Sequence, residues 1–298
     1  MRPERPAPHP YVPGMQPPEG PTPDDLIARR EGFLVGGVVG AALAASPIGA
    51  GAVVPPPDGR RRAATALADA LLIELTGGGV DLRRLARRWI DWRQADGLDA
   101  DPLVILALDH LRDFDAPIAR LPSGSVVAVA AVLPAALASA SPRAMIAGSF
   151  HVARMLDPQE TTALAAMATV LAAAAFLEGR RDFIPDVVAA LRANDASPIL
   201  LEAIRTIPRD PRTPPPVPTG INPDPVAAVT WLLWSAYHRP RGFDVLHELA
   251  FAGEISPAVG AIMGALFGAR DGLQSWPAAW IDGAGEEAGL RRALANRL

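Results

Sequence analysis

Few side chains in this sequence are of a type and spacing that could do chemistry. The chain has no cysteine, which removes thiolate nucleophiles and cysteine-ligated zinc. All 28 basic residues are arginine, so Schiff-base and P-loop lysine chemistry are excluded as well. No G-x-S-x-G turn occurs to seat a serine nucleophile. Of the five histidines, His110, His151 and His247 fall within helical stretches, where a plain polar role is the simpler reading. Asp109, Asp113 and Asp115 could gather oxygen ligands around a hard cation, although the first two equally form an exposed helix row. Trp231, Trp234 and His238 share one helical face and could stack a ring or base; packing is the alternative. Arg83, Arg84, Arg87 and Arg88 with Asp81 and Asp91 read as a solvated helix face.

The elements that must position such groups are helices. Six pairs of an oxygen-bearing side chain and proline read as helix starts: Asp101-Pro102, Ser141-Pro142, Asp157-Pro158, Ser197-Pro198, Asp224-Pro225 and Ser256-Pro257. In each the first residue can cap orphan amides while proline occupies the first helical position at no hydrogen-bond cost. Glu160, three residues after Asp157, predicts a capping box opening a helix that stops at Gly179. No stretch alternates apolar and polar residues with β-branched enrichment, so the class is all-α.

Residues 1–24 are proline-rich and polar and read as a disordered tail. The remainder, 25–298, reads as one domain with a proline-rich surface loop at 207–225. Phe33 to Val54 carries no charge and is long enough to cross a bilayer, but glycines and Pro47 interrupt it, so a buried helix and loop are expected instead. The tail lacks the apolar core of a secretion signal. A net charge of −4 speaks against a general nucleic-acid binder. A cytoplasmic protein bound to neither nucleic acid nor membrane is the expectation.

Two glycine series stand out. Gly32, Gly36 and Gly40 are spaced by four, as are Gly260, Gly264 and Gly268. On a helix each series makes a ridge along one face. A mid-helix glycine costs about 0.5–1 kcal/mol against alanine, so three in register imply a neighbour that needs the room, and the two ridges are candidates to face each other.

These segments resemble the ADP-ribosylglycohydrolase family. Gly32 to Ala45, GFLVGGVVGAALAA, is similar to its opening helix, G-x-L-x-G-x-x-x-G-D-A-L-G. Ala252 to Gly268, AGEISPAVGAIMGALFG, is similar to its C-terminal G-G-D-T-D-T-x-x-A-I-x-G-A-x-x-G. Trp276-Pro277, Trp280 and Ile281 follow where the family has an I-P-x-x-W element. Ala64 to Gly97 resembles the second helix pair, and Pro122 to Leu137 resembles the N-G-S-x-M-R segment. The resemblance runs from Arg30 to Trp280 and implies a compact orthogonal multi-helix bundle.

It also implies a pair of Mg²⁺ ions, whose acidic ligands this sequence lacks. The two C-terminal metal aspartates fall on Ile255 and Pro257; a one-residue shift would offer Glu254 and Ser256. The opening aspartate becomes Ala41. The T-D-D-T acids fall around Asp58, Gly59, Arg60 and Arg61. In the substrate loop, asparagine becomes Ser123 and arginine becomes Ala128. The reading that follows is a pseudo-ADP-ribosylglycohydrolase with no metal or other cofactor, inert in metal-dependent hydrolysis. It would bind a small-molecule, nucleotide-like ligand or a protein partner. Arg60, Arg61, Ser123, Ser125, Glu254 and Ser256 are the expected ligand residues, the arginines forking phosphate oxygens directly. One alternative is a metal-independent enzyme reusing the cleft, with Asp58, Glu254 or Asp182 as acid or base. Another is a structural or assembly protein.

Overall fold

Five of the six oxygen–proline pairs open helices in the computed structural model, which describes residues 22–47, 49, 62–95, 101–114, 118–121, 124–137, 141–209, 211–220 and 222–295. Among these residues there are fourteen α-helices and no strand. In order they are α1 (Pro23–Ala44), α2 (Ala63–Thr76), α3 (Leu82–Ala95), α4 (Pro102–Phe114), α5 (Val127–Val132), α6 (Pro142–Leu156) and α7 (Glu160–Leu177). Then come α8 (Ile184–Ala193), α9 (Pro198–Thr206), α10 (Pro225–His238), α11 (Gly242–Ala252), α12 (Pro257–Asp271), α13 (Ala278–Gly283) and α14 (Gly285–Ala295). Ser141, Ser197, Asp224 and Ser256 each accept the amide of the third residue in the helix that they cap. Asp101 accepts from Leu103 N at 2.8 Å.

Asp157 is the exception. It closes α6 rather than opening α7: its amide donates to Ala153 O, and Gln159 is the residue at the N-cap of α7. The buried Asp157 carboxylate instead accepts from Gln159 N at 3.0 Å and from the Thr162 hydroxyl at 2.7 Å. Its oxygens are thus consumed in the α6–α7 corner. The first helix starts slightly before the boundary read from composition. Thr22 and Asp25 exchange side-chain-to-backbone bonds in a capping box, and Pro23 is the first helical residue.

The two glycine ridges meet. Gly32 lies against Gly268, Gly36 against Gly264 and Gly40 against Gly260, so α1 and α12 run antiparallel in near backbone contact. A Cβ on any of the six would overlap a carbonyl of the opposing glycine. Nothing larger than hydrogen allows this separation, which explains why the spacing of four is kept on both helices.

Around this pair the helices are unusually apolar because they are enclosed. α7 is long and apolar enough to cross a membrane, yet 89% of that stretch is buried inside the fold; it packs on α5, α6, α8, α10 and α12. The uncharged run beginning at Phe33 is the inner half of α1, buried against α12, and that helix ends at Ala44. The described part of the 207–225 segment holds a short 3₁₀ turn and then irregular, largely exposed backbone, tied down by buried Pro218 and Pro223.

Arginines join the helix ends from inside. Arg29 Nη1 donates to the carbonyls of Phe176, Ala269 and Arg270, gathering the C-termini of α7 and α12. Buried Arg270 donates to Ala236, Arg239 and Pro240 at the end of α10. Orphan C-terminal carbonyls carry partial negative charge, so a planar five-donor cation satisfies several at once. The expected solvated face of α3 is partly of this kind. Arg84 and Arg88 clamp the two oxygens of Glu74 at 2.6 and 2.7 Å, and Glu74 is only 1% exposed.

Candidate functional site

The antiparallel glycine contact sets the C-terminal end of α1 beside the N-terminal end of α12, because Gly40 meets Gly260. This is where the chemistry-bearing segments of the sequence were expected to converge. α11 enters it through Gly253, whose φ of +70° lets the chain reverse, and the Glu254 amide then donates to Leu249 O at 3.0 Å. Ile255 turns inward and Ser256 caps α12, its hydroxyl accepting from Val259 N at 3.4 Å. On the facing helix Ala41 is buried.

The donor set here is thin. Glu254 is exposed and stands alone as an acid between Glu248 and Asp271. The buried Ser256 oxygen is engaged in the cap. Ile255, Pro257 and Ala41 carry no side-chain oxygen. No group of three or more histidine, aspartate or glutamate side chains is arranged to hold a metal ion among the described residues. Two Mg²⁺ ions need several hard oxygen ligands in near-octahedral array, and the described residues of this region do not fit them.

The other expected site residues are distributed as follows. Ser125 is fully buried at the start of α5, where its hydroxyl accepts from Val127 N at 3.3 Å and donates to Asp101 Oδ2 at 3.4 Å. Its hydroxyl is enclosed one residue before the N-cap of α5 and is not at the surface. Asp58, Arg60, Arg61 and Ser123 lie outside the described residues. Asp182 is exposed in the α7–α8 connection, next to Arg181, which approaches Asp271 at 4.0 Å. Asp271 is the last residue of α12 and Ser256 its cap, so the length of α12, roughly 20 Å at 1.5 Å per residue, separates Asp182 from Glu254. The structure does not bring these two acids together.

The remaining candidates resolve into packing. Trp231 and Trp234 are buried; His238 lies 5.0 Å from Trp234, and its Nε2 hydrogen-bonds Ile207 O at 2.6 Å. Asp109 and Asp113 pair with Arg112, while Asp115 is outside the described residues. Between α1, α2, α5 and α12 there is a cavity of about 20 Å³, bounded by Gly37, Thr65, Ala261 and Arg291 among others. That volume suits a water molecule and no organic ligand.

Sequence reasoning missed one feature, a ring cluster beside Glu254. His247 of α11 stacks on Trp280 of α13, Phe251 lies against His247, and Trp276 and Phe243 pack on Trp280. The period-four spacing of His247 and Phe251 was the available signal.

Comparison with known proteins gives one family and one fold. The ADP-ribosylglycohydrolase family model matches residues 22–298. A solved structure described as an "ADP-ribosylglycohydrolase-related protein complex" superposes with a TM-score of 0.71 at 22% identity, covering 92% of this chain and 99% of that one. At that identity the likeness speaks for the fold. A search of curated proteins gives no match.

Proposed function

This chain belongs to the ADP-ribosylglycohydrolase family, and from that premise we propose that it is a member inert in metal-dependent hydrolysis, acting by binding a nucleotide-like small molecule or a protein partner. One observation carries the reading: at the junction of α11 and α12, where the family places its metal acids, stand buried Ile255, the capping Ser256 and Pro257. A divalent cation there would be offered apolar surface on one side and a hydroxyl already engaged on the other. Without such ions nothing in the described region polarises a glycosidic bond or lowers the pKa of an attacking water, the two services a metal would render. The alternative of a metal-independent enzyme with Asp58, Glu254 or Asp182 as acid or base would have to work without a pair formed by Asp182 and Glu254, which lie toward opposite ends of α12.

The test is calorimetric titration of the full chain with Mg²⁺ and Mn²⁺. The expected outcome is no site tighter than the millimolar range of weak oxygen sites. Stoichiometric micromolar binding would overturn the reading.

A further inference from the structure

Four arginines crowd the first two turns of α3. Arg83, Arg84, Arg87 and Arg88 share one side of the helix, while Leu85, Ala86, Trp89 and Trp92 are buried on the other, packed on α2 and α4. This is an unfavourable place for them. The N-terminal end of a helix carries partial positive charge. Arg83 with Arg87, and Arg84 with Arg88, are moreover like charges one turn apart.

The acids nearby offset little of this. From Gly77 to Ala95 the sequence sets five arginines against Asp81 and Asp91. The Asp81 carboxylate is taken up in capping α3, accepting from the amides of Arg83 and Arg84 at 2.9 and 3.0 Å. Asp91 lies a turn further along, and Asp96 and Asp99, outside the described residues, follow the far end of the helix in sequence.

Glu74 neutralises one charge and fixes the geometry of two. Its buried carboxylate receives Arg84 Nε at 2.6 Å and Arg88 Nε at 2.7 Å, so each guanidinium is held by its inner edge while the side chains stay 52% and 40% exposed. Beyond this Arg84 adds only Gly79 O at 3.5 Å, and Arg88 makes no further hydrogen bond among the described residues. Their terminal nitrogens remain as donors that are already oriented. Arg87 beside them is exposed and makes no hydrogen bond or ion pair among the described residues. The approach is open, since no atom lies within 4 Å of where a side chain on Gly78 or Gly79 would begin.

We propose that this face of α3 docks an acidic segment of a protein partner. Carboxylates of the segment take the terminal nitrogens of Arg84 and Arg88, and Arg83 and Arg87 extend the contact along the helix. A guanidinium already held in place loses little freedom on binding. A convex helix face suits an extended peptide, whereas a small ligand needs enclosure. The net charge of −4 repels an acidic partner from the chain as a whole and so directs it to this face. The proposal rests on the reading above only in taking a protein as the partner.

The probe is a dansyl-labelled hexaglutamate peptide, titrated into the full chain at low ionic strength and followed by fluorescence anisotropy. Hexaglutamine under the same label is its neutral isostere. Saturable one-to-one binding of the acidic peptide alone is expected. Arg87→Gln should weaken it about twofold to fivefold, the scale of one exposed ion pair. Arg84→Lys with Arg88→Lys keeps every charge but removes the forks, and should weaken it about tenfold or more. Glu74→Gln adds net positive charge yet releases both guanidiniums, so weaker binding is expected there too. Tighter binding in Glu74→Gln would reduce the face to diffuse charge and overturn the proposal.

Equal binding of hexaglutamine or unchanged affinity in the lysine variant would overturn it as well. Tighter binding of hexathymidylate than of hexaglutamate would assign the face to nucleic acid instead. Self-association of the free chain that Arg87→Gln abolishes in sedimentation would assign it to a second copy. Should the lysine variant or Glu74→Gln fail to fold, Arg87→Gln decides together with the peptide controls, because the Arg87 side chain holds nothing in place. Tight Mg²⁺ binding would remove the preceding reading while leaving this titration standing, so the two can fail separately.

Discussion

Asp69 on α2 and Arg291 on α14 are 222 residues apart in the chain, yet Arg291 Nε donates to Asp69 Oδ1 at 2.7 Å where both side chains are about 95% buried. The other guanidinium nitrogens donate to Leu34 O at 3.1 Å and Thr65 O at 2.9 Å. One side chain thus fixes the last helix to α1 and α2.

Arg291→Met strands a buried carboxylate and two carbonyls. Removing one partner of a buried pair costs about 3–5 kcal/mol, and urea denaturation should show a loss of that size. Adding Asp69→Leu should restore much of it, because the uncompensated charge is then gone. A loss below 1 kcal/mol in the single variant would mean that α14 is not docked as described.

The glycine contact predicts opposite signs for one chemical change. Gly264→Ala places a methyl group into the Gly36 carbonyl and should lower stability by at least ~1–3 kcal/mol, the usual cost of overpacking. Gly289→Ala, in an exposed turn of α14 with nothing within 4 Å of the new methyl, should gain about 0.5–1 kcal/mol from helix propensity. Thermal melts of the two variants check both; equal midpoints would separate α1 from α12.

Glu74 sets a pH dependence. Burial pushes its carboxyl up, but hydrogen bonds from Arg88 and Arg84 outweigh this and hold it below the ordinary value of 4.5. A depressed native pKa gives stability that is present above the unfolded value and lost as pH falls through the native one. The melting temperature of Glu74→Gln should therefore lie below that of the wild type at pH 7, and the gap should narrow below about pH 4.3. A gap independent of pH would assign the effect to shape alone.

Asp157→Ala should cost about 1–3 kcal/mol, since the Thr162 hydroxyl and the Gln159 amide both lose a buried acceptor. Asp157→Asn, which keeps one acceptor oxygen, should cost less. Chemical denaturation of the pair orders them, and equal losses would count against the acceptor role.

Much of the helical order was legible because its signals are local. A serine or aspartate before proline marked the start of α4, α6, α9, α10 and α12 from adjacent residues, and glycine at every fourth position announces a close approach even before the partner is known. Arg29, Arg270 and Arg291 were not legible: their partners are carbonyls on distant helices, and a carbonyl has no residue type. Arg84 and Arg88 looked solvated because Glu74 lies a turn and a loop away from them. Asp157 had the sequence of a cap, but burial in a corner between helices redirected both of its oxygens. At the α11–α12 junction, Ile255 and Pro257 could be read from the family pattern, whereas the ring cluster beside Glu254 could not, since α13 supplies Trp280.

The pairing of α1 with α12 also governs when the molecule can assemble. Gly32 and Gly268 are separated by most of the chain, and no residue between them offers α1 the same flat glycine surface. During synthesis at roughly 5–20 residues per second, the inner face of α1 waits on the order of ten seconds or more for its counterpart. Closing so long a loop late, after the intervening helices have formed, makes this a slow-folding topology for an all-helical protein. The face left waiting is narrow and nearly without side chains, and it offers other nascent chains little to grip.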